Sequence, residues 1–339
     1  MRRWAALSAL AAVLVMAGPA GSEGRRQPPG AEAQPSVRIW GHPQMRRVVE
    51  IWSEGFRRRH PGVRVEAHLF GSATAIPGLY SGEADIALLG RENDITDDNG
   101  FGRVKHYPPM RLDLLAGGVD THGKSPALVI LVRQDNPLAQ LSLAQLDAIF
   151  GCERRRGLAA VRTWGDLGLG GAWAKAPIRL HAFDLRTGPG DFFQRRVLLG
   201  SHKLQWDRLT EHEGHGPGDA GDQAGREVAD AVRRDPYAVG LATAADVGPG
   251  LKALALAERP EGPYQAPTAE AVATQAYPLS RRVYAFVDRP PGRPVAPLAA
   301  EFLSYALSAE GQADVVRAGG YLPLPPREAE AQRLRLAQP

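Results

Sequence analysis

This sequence has little cysteine and only one long apolar run. Cys152 is the single cysteine in 339 residues, so an internal disulfide is excluded and the core must be stable without one. No His or Asp partner for its thiol is evident, which favours a half-buried small residue over a reactive one. After residue 20 no stretch of about 18 apolar residues occurs. We therefore expect no apolar helix to anchor the mature chain.

The apolar run at residues 1–20 has the pattern of a secretory signal peptide. Arg2 and Arg3 precede an apolar segment at 4–16, and small residues suitable for cleavage follow. The segment is too short to span a bilayer. Residues 21–35 are mostly Gly, Pro, Glu and Ala, which predicts a flexible leader, and no nearby cysteine offers a site for a lipid. The pattern predicts an exported protein, periplasmic if the cell has two membranes.

Basic residues interleaved with aromatic ones, the usual pattern of nucleic-acid binding, are also missing. The net charge is +4, and the basic clusters at 57–59 and 154–156 contain no aromatic residue. Such clusters are typical of a solvated surface. We expect no nucleic-acid partner, whereas the small positive excess is compatible with an anionic small ligand.

Motifs of the common catalytic classes do not occur. There is no G-x-S-x-G nucleophile elbow, and the lone cysteine has no evident base. His212, Glu213 and His215 could suggest a metal site, but they lack the i, i+4 spacing of a helical His pair and lie among Gly and Pro. The sequence therefore favours a binding protein over an enzyme, with no metal or cofactor.

Strand-like and helix-like segments alternate along the chain. Apolar runs at 86–89 and 127–132 are typical of buried strands, and residues 45–56 place apolar side chains on one helical face. Ser142 and Gln145 have the spacing of a capping box that begins a helix. By contrast, the composition of 212–225 predicts a loop. This alternation predicts an α/β protein with parallel sheets.

Three loops share one arrangement: an apolar strand, a short segment with Gly, and then a helix start. They are WGHPQM, FGSATA and LRTGPG, at 40–45, 70–75 and 185–190. A helix N-terminus has about four unpaired N–H groups and a partial positive charge, and Gly lets the backbone approach a ligand closely. If the three loops converge in space, they predict an anion-binding site.

Several longer segments resemble one protein family in combination. GSATA is followed by GEADIALLGRE, then by DNPLAQLSLAQLDAIFG, YPLSRRVYAFVDRPPG and GYLPLP. With these segments, most of 36–326 resembles the phosphate-binding proteins of bacterial ABC importers, which have the type II periplasmic solute-binding fold. The resemblance implies two α/β lobes, with mixed sheets flanked by helices and a cleft between the lobes.

The resemblance also implies an organisation and partners for the chain. Lobe 1 would contain 36–115 and 285–330, lobe 2 would contain 116–284, and 331–339 would be a C-terminal tail. The expected ligand is phosphate or a related oxyanion. The expected protein partners are the membrane subunits of an ABC importer or a membrane sensor, and the chain is expected to act as a monomer.

Carried over position by position, the resemblance implies a set of ligand residues from the three loops and the third strand end. These are Gln44, Met45, Gly71, Ser72, Arg91, Thr187 and Gly188. Three positions depart from the family pattern: Gly90 stands in place of Ser or Asp, Phe183 in place of Arg, and Pro189 in place of Thr.

The missing arginine at Phe183 leaves open which residue supplies positive charge. Arg186 directly precedes the matched Thr-Gly pair, so we expect it to be the replacement, with Arg91 as the next choice. Because the donor set is incomplete, the alternative is an exported scaffold or interaction protein of the same fold that has lost phosphate binding.

Overall fold

The computed structural model describes residues 34–215 and 220–338. The predicted signal peptide, and the predicted leader as far as residue 33, lie outside the described residues. In the described part, two five-stranded sheets and a two-stranded one are flanked by helices. This confirms the predicted α/β class with mixed sheets.

The first sheet contains the beginning of the chain and one late strand. Its strands are β1 (Ser36–Gly41), β2 (Arg64–His68), β3 (Ile86–Leu89), β4 (Met110–Ala116) and β12 (Arg282–Val287). The helices packed on them are α1 (Arg46–Arg59), α2 (Ser72–Ser81), α3 (Ile95–Lys105), α8 (Pro297–Ala306), α9 (Ala309–Ala318) and α10 (Pro326–Ala337). The strand order is β2-β1-β3-β12-β4. Strand β1 pairs in parallel with β2 and β3, whereas β12 is antiparallel to both β3 and β4.

Both faces of this sheet are covered by helices, which explains the continuous apolar run of β3. Successive side chains of a strand point to opposite faces. Ile86 and Leu88 belong to a cluster with α1, α8 and α9, whereas Ala87 and Leu89 pack with Phe101 and helix α2. Because both faces of β3 are buried, apolar and polar residues do not alternate along this strand.

The second sheet has its own core. Its strands are β5 (Leu128–Arg133), β7 (Arg179–Phe183), β8 (Leu209–His212), β9 (Ala238–Thr243) and β10 (Leu251–Ala253). Their order is β10-β5-β9-β7-β8, with β7 parallel to β8 and β9, and β5 antiparallel to β9 and β10. The two-stranded sheet consists of β6 (Gln140–Ser142) and β11 (Ala255–Ala257), and the helices of this region are α4 (Leu143–Phe150), α5 (Gly188–Val197), α6 (Ala220–Arg234) and α7 (Ala269–Ala273). The predicted capping box is present, because Ser142 and Gln145 each accept a bond from the other's backbone N–H.

Three features differ from the sequence predictions. Helix α6 begins at Ala220, inside the segment predicted as a loop, because Ala224, Val228 and Val232 pack into the core of the second sheet. Helix α10 covers 326–337, where the sequence suggested only a tail from 331 on. The sheets are mixed, as the family resemblance implied, and not parallel, as the alternation of segments alone predicted, because β5, β10 and β12 run against their neighbours.

The arrangement of strand ends positions the loops. Strands β1, β2 and β3 end at the loops that begin α1, α2 and α3, and β7 ends at the loop that begins α5. In open α/β sheets ligands bind at the carboxyl ends of such strands. Within the described residues, no helix has both the length and the apolar character needed to span a membrane.

Candidate anion-binding cleft

A cavity of about 620 Å³ lies between residues of the two five-stranded sheets. Segments that follow β1, β2 and β3 line one side, and the ends of β7, β8 and β9 line the other. All the predicted ligand residues except Arg186 line this cavity: Gln44, Met45, Gly71, Ser72, Arg91, Thr187 and Gly188. The structure thus brings the three predicted loops to one cleft, and their roles in binding stay predictions.

The loop after β2 presents the start of α2 to the cleft. Gly71 is the N-cap residue with φ of +133°, a backbone conformation that residues with a Cβ rarely adopt. Its carbonyl accepts bonds from the Thr74 backbone N–H and hydroxyl. Ser72 and Ala73 line the cleft in the first turn, where N–H groups have no intrahelical acceptor. This loop therefore offers a hydroxyl and backbone donors to an anion.

The loop after β1 uses its own donors internally. The Gln44 N–H donates to Nδ1 of His42 at 3.3 Å, and the Met45 N–H donates to the His42 carbonyl at 3.0 Å. The Gln44 carbonyl accepts from Nζ of Lys124 at 2.6 Å. In this arrangement, the backbone donor predicted at Met45 is already satisfied, so the side-chain amide of Gln44 is what this loop can offer.

The loop after β7 is closed by an N-cap. The Thr187 hydroxyl donates to the Asp184 carbonyl at 2.6 Å and accepts from the Gly190 N–H at 3.4 Å. Pro189 has no N–H to contribute. The backbone N–H of Gly188, at the first position of α5, is therefore the donor that this loop can direct at a ligand.

The structure does not bring Arg186 to the cleft. Its Nε and Nη2 lie 3.0 and 2.9 Å from the two carboxylate oxygens of Asp184, and its side chain is 81% exposed. Arg91 does line the cleft, but its Nη1 donates to Asp97 at 2.7 Å and lies 3.4 Å from Asp94. Both arginines singled out from the sequence are thus paired with carboxylates.

Arg281 supplies the positive charge that these two do not. It immediately precedes β12, lines the cleft and is only 6% exposed. Its Nη2 donates to the Gly90 carbonyl at 2.9 Å, and its Nε is buried without a hydrogen-bond partner. Across the ranges the structure describes, no carboxylate forms an ion pair with it. A buried charge without a partner costs several kcal/mol, which an anion in the cleft would offset.

The protonation state of Arg281 follows from its ordinary chemistry. Burial lowers the pKa of this guanidinium, and the nearby Glu92 carboxylate opposes that effect. Because a guanidinium is not deprotonated in proteins, Arg281 stays charged at neutral pH. Ser125, which also lines the cleft, donates its hydroxyl to the same Gly90 carbonyl at 3.0 Å. Gly90 thus anchors Arg281 through its backbone, although it has no side chain to offer a ligand.

The sequence reasoning missed Arg281 and Ser125. The available signal for Arg281 was a charged pair in YPLSRR, where an apolar strand begins; the second arginine is the first of six strand residues that are all buried. A charge at that position must either find a partner of opposite charge or face a cavity. Arg282 takes the first course and pairs with Glu328, whereas Arg281 faces the cleft.

A pair of histidines lies at the opposite wall. Nδ1 of His181 on β7 is 3.1 Å from Nε2 of His212 on β8, and His212 lines the cleft. Burial lowers the pKa of both rings, and the neighbouring His212 lowers the pKa of His181 further. Asp235 opposes the shift of His181, and Glu227 opposes that of His212. Among the described residues, no group of three or more His, Cys, Asp or Glu side chains is arranged to hold a metal ion.

Acidification is expected to destabilise the protein through this histidine pair. In the unfolded chain both rings titrate near 6.5, whereas their pKa is lower in the folded state, so the unfolded state binds more protons below about pH 6.5. The free energy of unfolding should therefore fall as the pH drops from 6.5 toward the folded-state pKa. Urea unfolding at several pH values would measure this. The dependence should be smaller in His181→Gln, and an unchanged dependence in that variant would contradict the assignment.

The chain is similar to known solute-binding proteins in sequence. Residues 26–310 match the family model described as a PBP superfamily domain. The chain is 31% identical over 291 residues to the phosphate-binding protein PstS of Pseudomonas aeruginosa, covering 86% of this chain and 83% of the relative.

Solved structures show the same fold. One is PstS from Borrelia burgdorferi, with a TM-score of 0.58, 15% identity, and coverage of 86% of this chain and 99% of that one. Another is a phosphate transport receptor of the ABC type from Vibrio cholerae, with a TM-score of 0.54, 19% identity, and coverage of 84% and 99%. At these identities the likeness establishes the two-lobed fold.

Proposed function

This chain belongs to the PBP superfamily and to the family of the phosphate-binding protein PstS, and on that premise we propose that it is a solute-binding protein for phosphate. It would hold the ligand in the cleft between the two sheets and would act as a binding protein rather than as an enzyme. The family resemblance in the sequence and the convergence of three helix-initiating loops both support this proposal.

Arg281 is the observation that carries the proposal. A buried guanidinium facing a cavity, without an ion-pair partner in the described part of the chain, favours an anionic ligand. Ser72 and the first turn of α2 would donate from one side, and the Gly188 N–H would donate from the other. This arrangement does not favour the alternative of a scaffold without a ligand, because such a protein would keep the cost of the buried charge with no compensation.

The remaining predicted residues have supporting roles in this proposal. The amide of Gln44 would approach the ligand from the first loop. Thr187 would hold the turn that presents Gly188, and Arg91, fixed by Asp97, would position the end of β3.

Closure around the ligand would bring two lobes together. One lobe would consist of residues 36–115 and 285–330, and the other of residues 116–284. The covalent connections between the two sheets lie between β4 and β5 and before β12. We propose that this protein is exported and acts as a monomer. It would deliver phosphate to the membrane subunits of an ABC importer, or report the presence of phosphate to a membrane sensor.

Binding of phosphate to the purified protein tests this function directly. We expect isothermal titration to detect binding of phosphate. We expect thermal unfolding to show that phosphate at 100 times its dissociation constant stabilises the folded protein by about 2.7 kcal/mol. Sulfate, arsenate and molybdate, tested in parallel, would define selectivity among oxyanions. If none of the four changed the unfolding temperature or released heat, the proposed function would be wrong and the scaffold alternative would be favoured.

A further inference from the structure

The cleft is much larger than inorganic phosphate. A five-atom oxyanion occupies roughly 60 to 90 Å³, or two to three times the share of one water molecule in the liquid. The cavity of about 620 Å³ falls instead in the range of pockets that bury small organic molecules. A bare phosphate at Arg281 would leave most of this volume to water.

Contacts between the two sides show that the volume is not simply a gap between separated lobes. Arg195 of α5 donates through Nη1 to the Asn93 carbonyl, on the loop before α3, at 3.1 Å. Arg91 packs against Gly188 so closely that a Cβ on that glycine would lie 3.2 Å from the arginine Cδ. The two sides therefore already touch along this rim.

Apolar groups line the part of the cleft where a bare oxyanion would need donors. Phe183 and Pro189 both face the cavity, and Pro189 has no N–H to donate. Pro126, Ala224 and Met45 contribute further apolar surface. Apolar lining with a few convergent polar groups is typical of a pocket for an organic ligand.

The geometry points to a ligand that carries an organic substituent on its oxyanion: we propose that the cleft binds an organic phosphonate or phosphate monoester in preference to inorganic phosphate. The shared R–PO₃²⁻ head would lie at Arg281, Ser72 and the helix starts, and the substituent would lie against the wall formed by Phe183, Pro189 and Ala224 (the apolar wall). This inference rests on the proposed function and specifies its substrate class.

Titrations with matched ligands test the inference on the full-length mature protein. Phosphate, phenylphosphonate and phenyl phosphate share the anionic head, and benzenesulfonate supplies the ring with a singly charged head. We expect at least tenfold tighter binding of phenylphosphonate or phenyl phosphate than of phosphate, equivalent to about 1.4 kcal/mol. Comparing the two phenyl ligands distinguishes a phosphonate site from a phosphate-ester site, and weaker binding of benzenesulfonate would show that the doubly charged head is required.

Two variants make the test independent of any one substitution. Ala224→Leu fills the apolar wall and should lower the ratio of phenylphosphonate to phosphate affinity at least tenfold. Pro189→Thr adds an N–H and a hydroxyl at the start of α5 and should shift the same ratio in the same direction, mainly by improving phosphate binding. Thermal unfolding of each apo variant confirms that it is folded.

The outcomes separate this inference from the proposed function. Tighter binding of phosphate than of both phenyl ligands would overturn the inference and leave the proposed function in place. A ratio unchanged in both variants would also overturn it, because the apolar wall would then not contact the substituent. Absence of binding by all ligands would overturn both. The predicted order of affinities in the wild type, together with a lower ratio of phenylphosphonate to phosphate affinity in the variants, would support both.

Discussion

Replacing Arg281 with glutamine is expected to weaken binding of phosphate by about 100-fold, equivalent to about 2.7 kcal/mol. A charge-assisted hydrogen bond contributes about 1.5 to 3 kcal/mol, and in the described part of the cleft Arg281 is the cation without a carboxylate partner. The fold should survive, because removing a buried charge that lacks a partner is neutral or stabilising. Isothermal titration gives the loss in affinity, and thermal unfolding of the apo protein checks the fold.

Two further arginine variants sharpen this test. Arg281→Lys keeps the charge but loses the planar fork of donors, so an intermediate loss of about tenfold is expected. Arg186→Gln should change affinity less than twofold, because that side chain is 81% exposed and bound to Asp184. A large loss in Arg186→Gln together with unchanged binding in Arg281→Gln would reverse the assignment of the two arginines.

Replacing Gly190 with alanine is expected to destabilise the protein by about 2 to 3 kcal/mol and to reduce ligand affinity at least tenfold. A Cβ at this position would lie 2.3 Å from Cα of Leu185 and 2.6 Å from its carbonyl carbon and oxygen. These are backbone atoms, so the loop itself must move. That loop carries Thr187 and presents the Gly188 N–H to the cleft, and both effects therefore follow from one displacement. Urea unfolding and titration measure them.

A second helical glycine provides the matched control. Gly102 lies within α3, and nothing lies within 4 Å of the position that its Cβ would occupy. Gly102→Ala should stabilise the protein by about 0.5 to 1 kcal/mol, since alanine favours the helix, and should leave ligand affinity unchanged. Equal effects of the two substitutions would show that the close approach at Leu185 does not determine the structure of the ligand loop.

The regular elements could be predicted because their signals are local. The apolar runs at 86–89 and 127–132 predicted strands, and a capping box predicted the start of α4 at Leu143. The start of α6 could not be predicted, because its first turns are rich in Gly and Asp, and its helical structure depends on packing of Ala224 and Val228 against the second sheet. Intrinsic propensity is a weak signal wherever tertiary packing decides the outcome.

The candidate site could be predicted only in part. The three loops were identified from a strand, a glycine and a helix start, and these features occur within six consecutive residues in each loop. The sequence could not predict which donors in these loops are available to a ligand, because hydrogen bonds within each turn already occupy some of them. The Met45 N–H is satisfied by the His42 carbonyl, and the Thr187 hydroxyl is satisfied by the Asp184 carbonyl.

The sequence by itself determined the α/β class, the family resemblance and the loops that surround the cleft, because periodicity, glycine positions and capping residues act over a few neighbouring residues. Only the tertiary structure decided which arginine is the cation of the cleft. Strand β12 runs antiparallel to β3, so its start lies beside the end of β3, and Arg281 reaches Gly90 across 191 positions of sequence. Arg186, adjacent to the ligand loop in sequence, binds Asp184 instead. Proximity along the chain favoured Arg186, but strand direction and the availability of a nearby carboxylate determine which charge faces the cleft.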